Sequence, residues 1–368
     1  MVIKDRGGSR RSRGTITIED VARNAGVSAM TVSRVINGGK NVRDSTRVRV
    51  LEAVKQLNYS PNSAARSLAA GQPMHVGLLY ANPSASYLSQ FLIGALHAAR
   101  HSGAHLSIEA CESEDPGDQA EAARRFAQGD VDGVILPPPL SESKPILAEL
   151  ASLRMPFVTV AMAAPKPDSL NVRIDDAAAA EEITRHLLGL GHRRIGFIKG
   201  HPNHVASRDR FKGFSDALKD AGLKVADMPV EQGYFSYRSG LIAAEKLLSR
   251  ADPPTAIFAS NDDMGAAAIS VAHRLGLAVP KDVSVVGFDD TMLATSVWPE
   301  LTTVKQPISA MAEAAMELLI ADLRSRQANA ARKVHERVLA HALIIRESSA
   351  APPGPVAKVA KTPKRVAK

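Results

Sequence analysis

From Gln72 to about residue 347, short apolar runs alternate with helical patterns: Val76–Tyr80, Leu106–Ala110, Val131–Leu136, Phe157–Val160, Ile195–Ile198, Ala256–Ala259 and Val283–Phe288. Unbroken apolar runs separated by helices are strands buried on both faces, which predicts parallel sheets of the α/β class. The stretch is long for one sheet and is read as two lobes. A chain of 368 residues also exceeds one ordinary core, and its 45% hydrophobic content is ample for several. No run of 18 or more apolar residues occurs, and the start "MVIKDRGGSRRSRG" lacks the apolar segment of a secretory signal. The expectation is a soluble, cytoplasmic protein with no membrane partner. Cys111 stands alone, so no intrachain disulfide forms. With no Cys/His cluster of zinc spacing, no metal or other cofactor is expected.

The net charge of +8 is unevenly placed. Residues 1–14 carry five basic residues against one acidic, residues 15–70 carry eight against four, and residues 348–368 carry five against none. The remainder, 71–347, is therefore at −5. Basic ends on a mildly acidic body suggest a head that binds a polyanion and a large domain with a separate task. The last stretch, "APPGPVAKVAKTPKRVAK", is rich in Pro, Ala and Lys without periodicity and reads as a disordered basic tail over 348–368. It serves either polyanion contact or solubility alone.

Residues 15–60 read as a small all-α head. Thr17-Ile18-Glu19-Asp20 has the form of a helix cap followed by acids, and Val21, Ala22 and Ala25 supply an apolar face. Gly26 stops that helix and Ser28 caps the next, giving two short helices and a tight glycine turn, the form of a helix-turn-helix. A third helix fits at about 45–58, with Val50, Val54 and Leu57 at i, i+4, i+7 behind Asp44. On the second helix Val32, Val35 and Ile36 form one stripe, leaving Ala29, Met30, Ser33 and Arg34 outward. In a helix-turn-helix those first turns meet base edges in the major groove. Ala29 and Met30 suit thymine methyl groups; Ser33 and Arg34 suit phosphate or a guanine edge, and Asn37 the DNA backbone. A surface helix packing Met30 on a neighbouring domain is the competing interpretation. Residues 61–71, "PNSAARSLAAG", form a linker whose alanine-rich part has only about two helical turns and is marginal alone. Such a segment is a plain linker or a conditional hinge helix, with Leu68 placed to wedge between base pairs from the minor groove.

The stretches "TIEDVARNAGVSAMTVSRVINGG" and "LNYSPNSAARSLA" resemble the DNA-binding head and hinge helix of the lac repressor/GalR family of bacterial regulators. By that resemblance Ala29 and Met30 are the operator-choosing pair, Asn62, Ala65 and Leu68 are hinge contacts, and Thr17, Ser28 and Thr31 complete the DNA-facing set. The resemblance also implies a dimer on a near-palindromic double-stranded operator. It implies a periplasmic-binding-protein-like body in which the chain crosses between lobes near 172–176, 301–306 and 335–340. Lobe 1 is then about 72–173 with 304–335, and lobe 2 about 174–303 with 336–347. Pairing of protomers is expected through a lobe 1 helix near 87–101, with Leu88, Phe91, Leu92 and Leu96, and a helix near 308–323. The tail carries no leucine heptad, so a homodimer is expected rather than a tetramer.

Ligands of open parallel sheets bind beyond the carboxyl ends of the strands. Four such ends present Asn82, Arg210, Asn261 and Asp289, with Tyr87 closing the stretch "ANPSASY". These donors and acceptors suit vicinal hydroxyls, and Phe235 or Trp298 suits stacking on a sugar ring. The resemblance aligns Arg210, Asn261 and Asp289 with effector-binding residues and Phe235 with a pocket aromatic. The expected ligand is a mono- or disaccharide. Many sugar-responsive members carry an acid after the strand matching Phe157–Val160, whereas this chain reads "TVAMAAPKPD".

His201 and His204 in "GHPNH" lack further metal ligands and read as loop residues, "GLGHRRIGFIKG" is no phosphate loop, and no nucleophile elbow occurs. An enzyme is not expected. Three rivals stand beside a sugar-controlled repressor: a corepressor-type regulator binding a purine-like ligand, a sugar-binding transport protein, and an architectural DNA-binding protein acting through basic tails.

Overall fold

The computed structural model describes residues 18–36, 42–57, 73–82, 84–162, 169–328 and 336–353. The chain divides into two compact units at Pro73–Met74. Thr17, Asn37, the linker residues Asn62, Ala65 and Leu68, and the tail beyond 353 lie outside the described residues. Among the described residues no helix is long and apolar enough to cross a membrane.

The first unit holds α1 (Ile18–Ala25), α2 (Ala29–Ile36) and α3 (Asp44–Gln56). Val21, Ala22 and Ala25 meet Val32, Val35, Val50 and Ala53 in one core, with Val54 and Leu57 at its margin. Helices this short are marginal alone, so the shared core of small side chains is what holds them. Gly26 takes φ +64° between α1 and α2, and the Val27 N–H returns to the Ala22 carbonyl at 3.0 Å. Ser28 then caps α2, its Oγ accepting the Thr31 N–H at 3.2 Å. Asp44 lies inside the first turn of α3, after Arg43, which makes no side-chain cap. There its charge opposes the positive end of the helix dipole.

The second unit contains two six-stranded sheets. The first runs β11-β5-β4-β3-β1-β2, all parallel, from β1 (His75–Tyr80), β2 (His105–Ala110), β3 (Gly133–Leu136), β4 (Phe157–Val160), β5 (Leu170–Arg173) and β11 (Glu336–Val338). The second runs β12-β10-β9-β8-β6-β7, from β6 (Ile195–Lys199), β7 (Val230–Gln232), β8 (Ala256–Ala259), β9 (Ser284–Asp289), β10 (Thr302–Lys305) and β12 (Ala342–Ile344). Only β12 is antiparallel to its neighbour there. Alternate residues of each strand feed opposite cores. Leu78 and Ile135 face α4 (Ala85–Ser102) and α12 (Ile308–Gln327), while Leu79, Val134 and Leu136 face α5 (Pro116–Ala127) and α6 (Lys144–Ser152). In the second sheet Phe197 and Phe258 face α7 (Asp176–Gly189) and α8 (Val205–Asp220). Ile198 and Ile257 face α9 (Tyr237–Leu248) and α10 (Asp262–Arg274). The short α11 (Met292–Ser296) follows β9.

Pairing locates the second and third crossings. β10 pairs with β9, so the second crossing follows Lys305; β11 pairs with β5, so the third lies between Val338 and Ala342. β11 is three residues with an exposed, half-buried, exposed pattern, and carries no apolar run to announce it. The body also does not end at 347. Ser348 is buried, its Oγ accepts the Thr302 N–H at 2.8 Å, and its carbonyl accepts the Val285 N–H at 2.8 Å. The Ala350 carbonyl accepts from buried His192 at 2.8 Å. On α4, Phe91 is fully buried in the lobe core; the large apolar side chains that reach solvent are Ile93 and Leu96.

Candidate functional site

The exposed face of α2 is the first candidate. Met30 is 66% exposed, Arg34 is exposed, and Ser33 and Thr31 are half-buried. Ser28 Oγ lies 2.9 Å from Thr31 Oγ1, tying the cap to the first turn. Ala29 departs from expectation: it is half-buried against the three-helix core and presents only part of its methyl group outward. The face is thus led by Met30 and Arg34. An exposed methionine at the start of a helix-turn-helix second helix is placed for methyl and shape contacts, since it has no bidentate donor or acceptor.

The second candidate is a cleft between the two lobes enclosing about 500 Å3 of space open to solvent. Its lining includes Asn82, Ser84, Tyr87 and Glu142 from lobe 1 and His204, Arg210, Phe235, Asn261 and Asp289 from lobe 2, with Gln306 at the crossing. Arg210 is the electrostatic centre. α8 carries it into the interior, where Nε donates to Asp176 Oδ1 at 2.8 Å, Nη1 to the Ser260 carbonyl at 2.5 Å, and Nη1 lies 3.4 Å from Asp289 Oδ1. Its guanidinium stacks 3.7 Å over the Phe288 ring. Burial works against this cation, but Asp176 and Asp289 outweigh it and hold its pKa above the ordinary value. Gln306 Nε2 donates to Asp289 Oδ1 at 2.6 Å. Burial pushes the Asp289 carboxyl up to about 7 against the pull of Arg210 and Gln306.

The strand-end loops are set by buried polar pins. Asp262, fully buried, accepts from the Thr291 N–H at 2.7 Å and from Thr303 Oγ1 at 2.6 Å, which fixes the turn after β9. Asn261 caps α10 by accepting the Met264 N–H at 3.0 Å and donates to the Phe235 carbonyl at 2.9 Å. It therefore caps a helix and lines the cleft at once. A Cβ on Gly200 would overlap the far end of the Phe235 ring, so glycine is required at this position after β6 for the ring to lie where it does. Phe235 (φ 59°), Ala161 (φ 61°) and Asp289 (φ 112°) all hold positive backbone angles, and all three line the cleft. Such conformations cost on the order of 1–3 kcal/mol each and persist where surrounding structure over-determines them.

Lobe-to-lobe contacts border the cleft. Ser84 Oγ donates to Asp263 Oδ2 at 2.7 Å, Gln90 Nε2 to the Asp290 carbonyl at 3.3 Å, and the Val205 N–H to Glu142 Oε2 at 2.8 Å. Tyr87 is buried, and its hydroxyl has no hydrogen-bond partner among the described residues. Trp298 is not part of this assembly. It is 76% exposed, beside His273 at 6.0 Å between ring centroids, and does not line the cleft.

Residues 17–62 match the family model described as bacterial regulatory proteins, lacI family, and residues 184–349 match a periplasmic binding protein-like domain. The HTH-type transcriptional regulator DegA of Bacillus subtilis is 36% identical over 298 residues, covering 80% of this chain and 88% of the relative. The chain belongs to the lacI family. It is a DNA-binding transcriptional regulator, in a family that is not enzymatic. The HTH-type transcriptional repressor PurR of Photobacterium profundum is 34% identical over 335 residues, 90% of this chain and 98% of that one. The solved transcriptional regulator CelR–cellobiose complex superposes with a TM-score of 0.69 at 31% identity, covering 91% of this chain and all of that one.

The regulator's cleft thus gathers six of the seven residues expected from sequence: Asn82, Tyr87, Arg210, Phe235, Asn261 and Asp289. Sequence reasoning missed Glu142, His204 and Gln306. His204 stood in a loop motif dismissed for want of metal partners; it is the first residue before α8 and stacks on Phe235 at 5.7 Å and 15°. Gln306 follows β10 directly, and the strand-end rule would have found it had β10 been recognised.

Proposed function

We propose that this regulator is a repressor whose affinity for a near-palindromic operator is set by a mono- or disaccharide held between the lobes, and that it acts as a cytoplasmic homodimer. The observation that carries the reading is the buried Arg210–Asp289–Gln306 cluster beside the flat Phe235 ring in one interlobe cleft. Paired donors and acceptors suit adjacent hydroxyls, and the aromatic face suits a sugar ring. A ligand there touches both lobes, so it binds with different affinity to different lobe closures and shifts the balance between them. Met30, Arg34 and Ser33 read the operator. Asn62, Ala65 and Leu68 act as hinge contacts that transmit lobe closure to the head. Ile93 and Leu96 on α4 give the protomers an apolar face to share.

The test is operator binding by fluorescence anisotropy, titrated with a panel of mono- and disaccharides. Asp289→Ala retains operator affinity and loses the response; a variant that still responds fully places the effector elsewhere. Leu68→Ala loses operator affinity and keeps effector binding. A second reading draws on the parallel Phe235 and His204 rings, which present flat faces to a planar base. Under it a purine-like ligand tightens DNA binding, and titrating purine bases in the same anisotropy assay gives a rise in operator affinity where an inducing saccharide gives a fall.

A further inference from the structure

The cleft carries an acid where neither the strand-end rule nor the resemblance placed one. The residue after β4 is Ala161, and the lobe 1 carboxylate lining the cleft belongs to Glu142, in the turn between β3 and α6. Its Oε2 accepts the Val205 N–H, the first backbone donor of α8 in the opposite lobe, at 2.8 Å. α8 runs 16 residues, and its own cap position, His204, supplies no side-chain cap. The start of such a helix leaves unpaired N–H groups and the positive end of the dipole, which is where an anion binds. Here the chain's own carboxylate occupies that place, and because burial raises its pKa to about 7 it does so as an anion above that pH.

The remaining cations near the cleft are already neutralised. Arg210 is balanced by Asp176 and Asp289. Arg208, on the first turn of α8, lies 3.2 Å from Asp209. His204 is kept uncharged by burial and by neighbouring His201, its pKa down to about 4. A phosphate or carboxylate entering this cleft would lose its hydration and meet Glu142 and Asp289, and Arg210, the one Lys or Arg of the lining, is already balanced.

We propose that Glu142 acts as a built-in anion that fills the start of α8 across the cleft and thereby restricts the effector to uncharged molecules. This rests on the reading of the cleft as the effector site, and narrows it: free saccharides or neutral bases fit, and their phosphorylated or carboxylated counterparts are excluded. The same bond ties lobe 1 to α8, the helix that carries Arg210.

Thermal unfolding of the full-length protein at pH 8 tests this, with sodium phosphate compared against sodium chloride at matched ionic strength, and glucose 6-phosphate against glucose. Wild type shows no midpoint rise specific to either phosphate. Glu142→Ala, which empties the position, gains a saturable rise with inorganic phosphate. Glu142→Gln, nearly isosteric and able to keep the Val205 bond, gains a smaller one and serves as the variant of record if Glu142→Ala does not fold. The inference is overturned by a wild-type rise with either phosphate that Asp289→Ala or Arg210→Met alters, or by failure of both Glu142 variants to gain one. Those outcomes leave the cleft as an effector site. Conversely, phosphate gained by the variants while no saccharide or base shifts wild type sinks the effector reading and keeps the role of Glu142.

Discussion

Arg210 is a residue whose removal should cost more than its contacts suggest. It sits among Asp176, Asp289 and the Ser260 carbonyl with almost no exposure. Replacing it by methionine fills most of the volume but leaves two buried carboxylates without their cation. Losing one partner of a buried pair costs about 3–5 kcal/mol, so Arg210→Met should lower the stability of the body by that order in chemical denaturation. Glu142 sets a pH dependence. Burial raises its carboxyl from the ordinary 4.5 to about 7, so the folded body binds a proton that the unfolded chain has released. Stability from this group is complete below about 4.5 and is lost as pH rises through 7. Glu142→Gln removes the effect, so its melting midpoint relative to wild type should rise between pH 5 and pH 8; a constant difference would show that Glu142 titrates normally. Arg210, Asn261 and Asp289 were legible in the sequence because each follows an apolar strand. Glu142 was not, since it lies in a Pro-rich turn where nothing local shows which lobe it will face. Trp298 was misplaced because aromatic character alone suggests stacking, and only the fold shows that the segment after α11 turns it to solvent.

Among elements, the turn between α1 and α2 offers a clean test. A Cβ on Gly26 meets nothing within 4 Å, so the cost of Gly26→Ala is conformational alone, from φ +64°. That conformation disfavours a non-glycine residue by about 1–2 kcal/mol. The variant should bind operator more weakly while its effector binding is unchanged. On α2, Met30→Gln gives the exposed position an amide able to make paired hydrogen bonds to adenine. Its operator preference, read by selection from randomised duplexes, should shift while the head's core is untouched. Six of the seven strands expected from apolar runs are buried along most of their length, which leaves a nearly uninterrupted signature; β2 was found too, but it lies at the sheet edge and is largely exposed rather than buried on both faces. β5, β7, β10, β11 and β12 were not: each is short, all but β12 include polar residues, and their placement is decided by pairing with distant partners. The half-buried state of Ala29 escaped for a similar reason, since it depends on packing against neighbouring helices and not on spacing within its own.

At the scale of the whole molecule, the chain just past residue 347 belongs to the second sheet's surroundings. Ser348 and Ala350 hold the second sheet through bonds to Val285, Thr302, His192 and Ser284. A chain ending at 353 keeps all of these bonds. One ending at 347 forfeits several buried hydrogen bonds, each worth about 1 kcal/mol, and should melt lower. Leu96→Asp places a charge on the apolar face of α4 and should yield monomers by sedimentation, with operator affinity reduced. The interleaving of the lobes also bears on synthesis. The outer edge of β5 is covered by β11, where Asn171 and Glu336, 165 residues apart, meet at 3.2 Å. Until the ribosome has released that distant strand, the first sheet has an open edge able to pair with another nascent chain. Messages cut short before residue 339 should yield aggregating products that depend on chaperones, however complete their first lobe looks on paper.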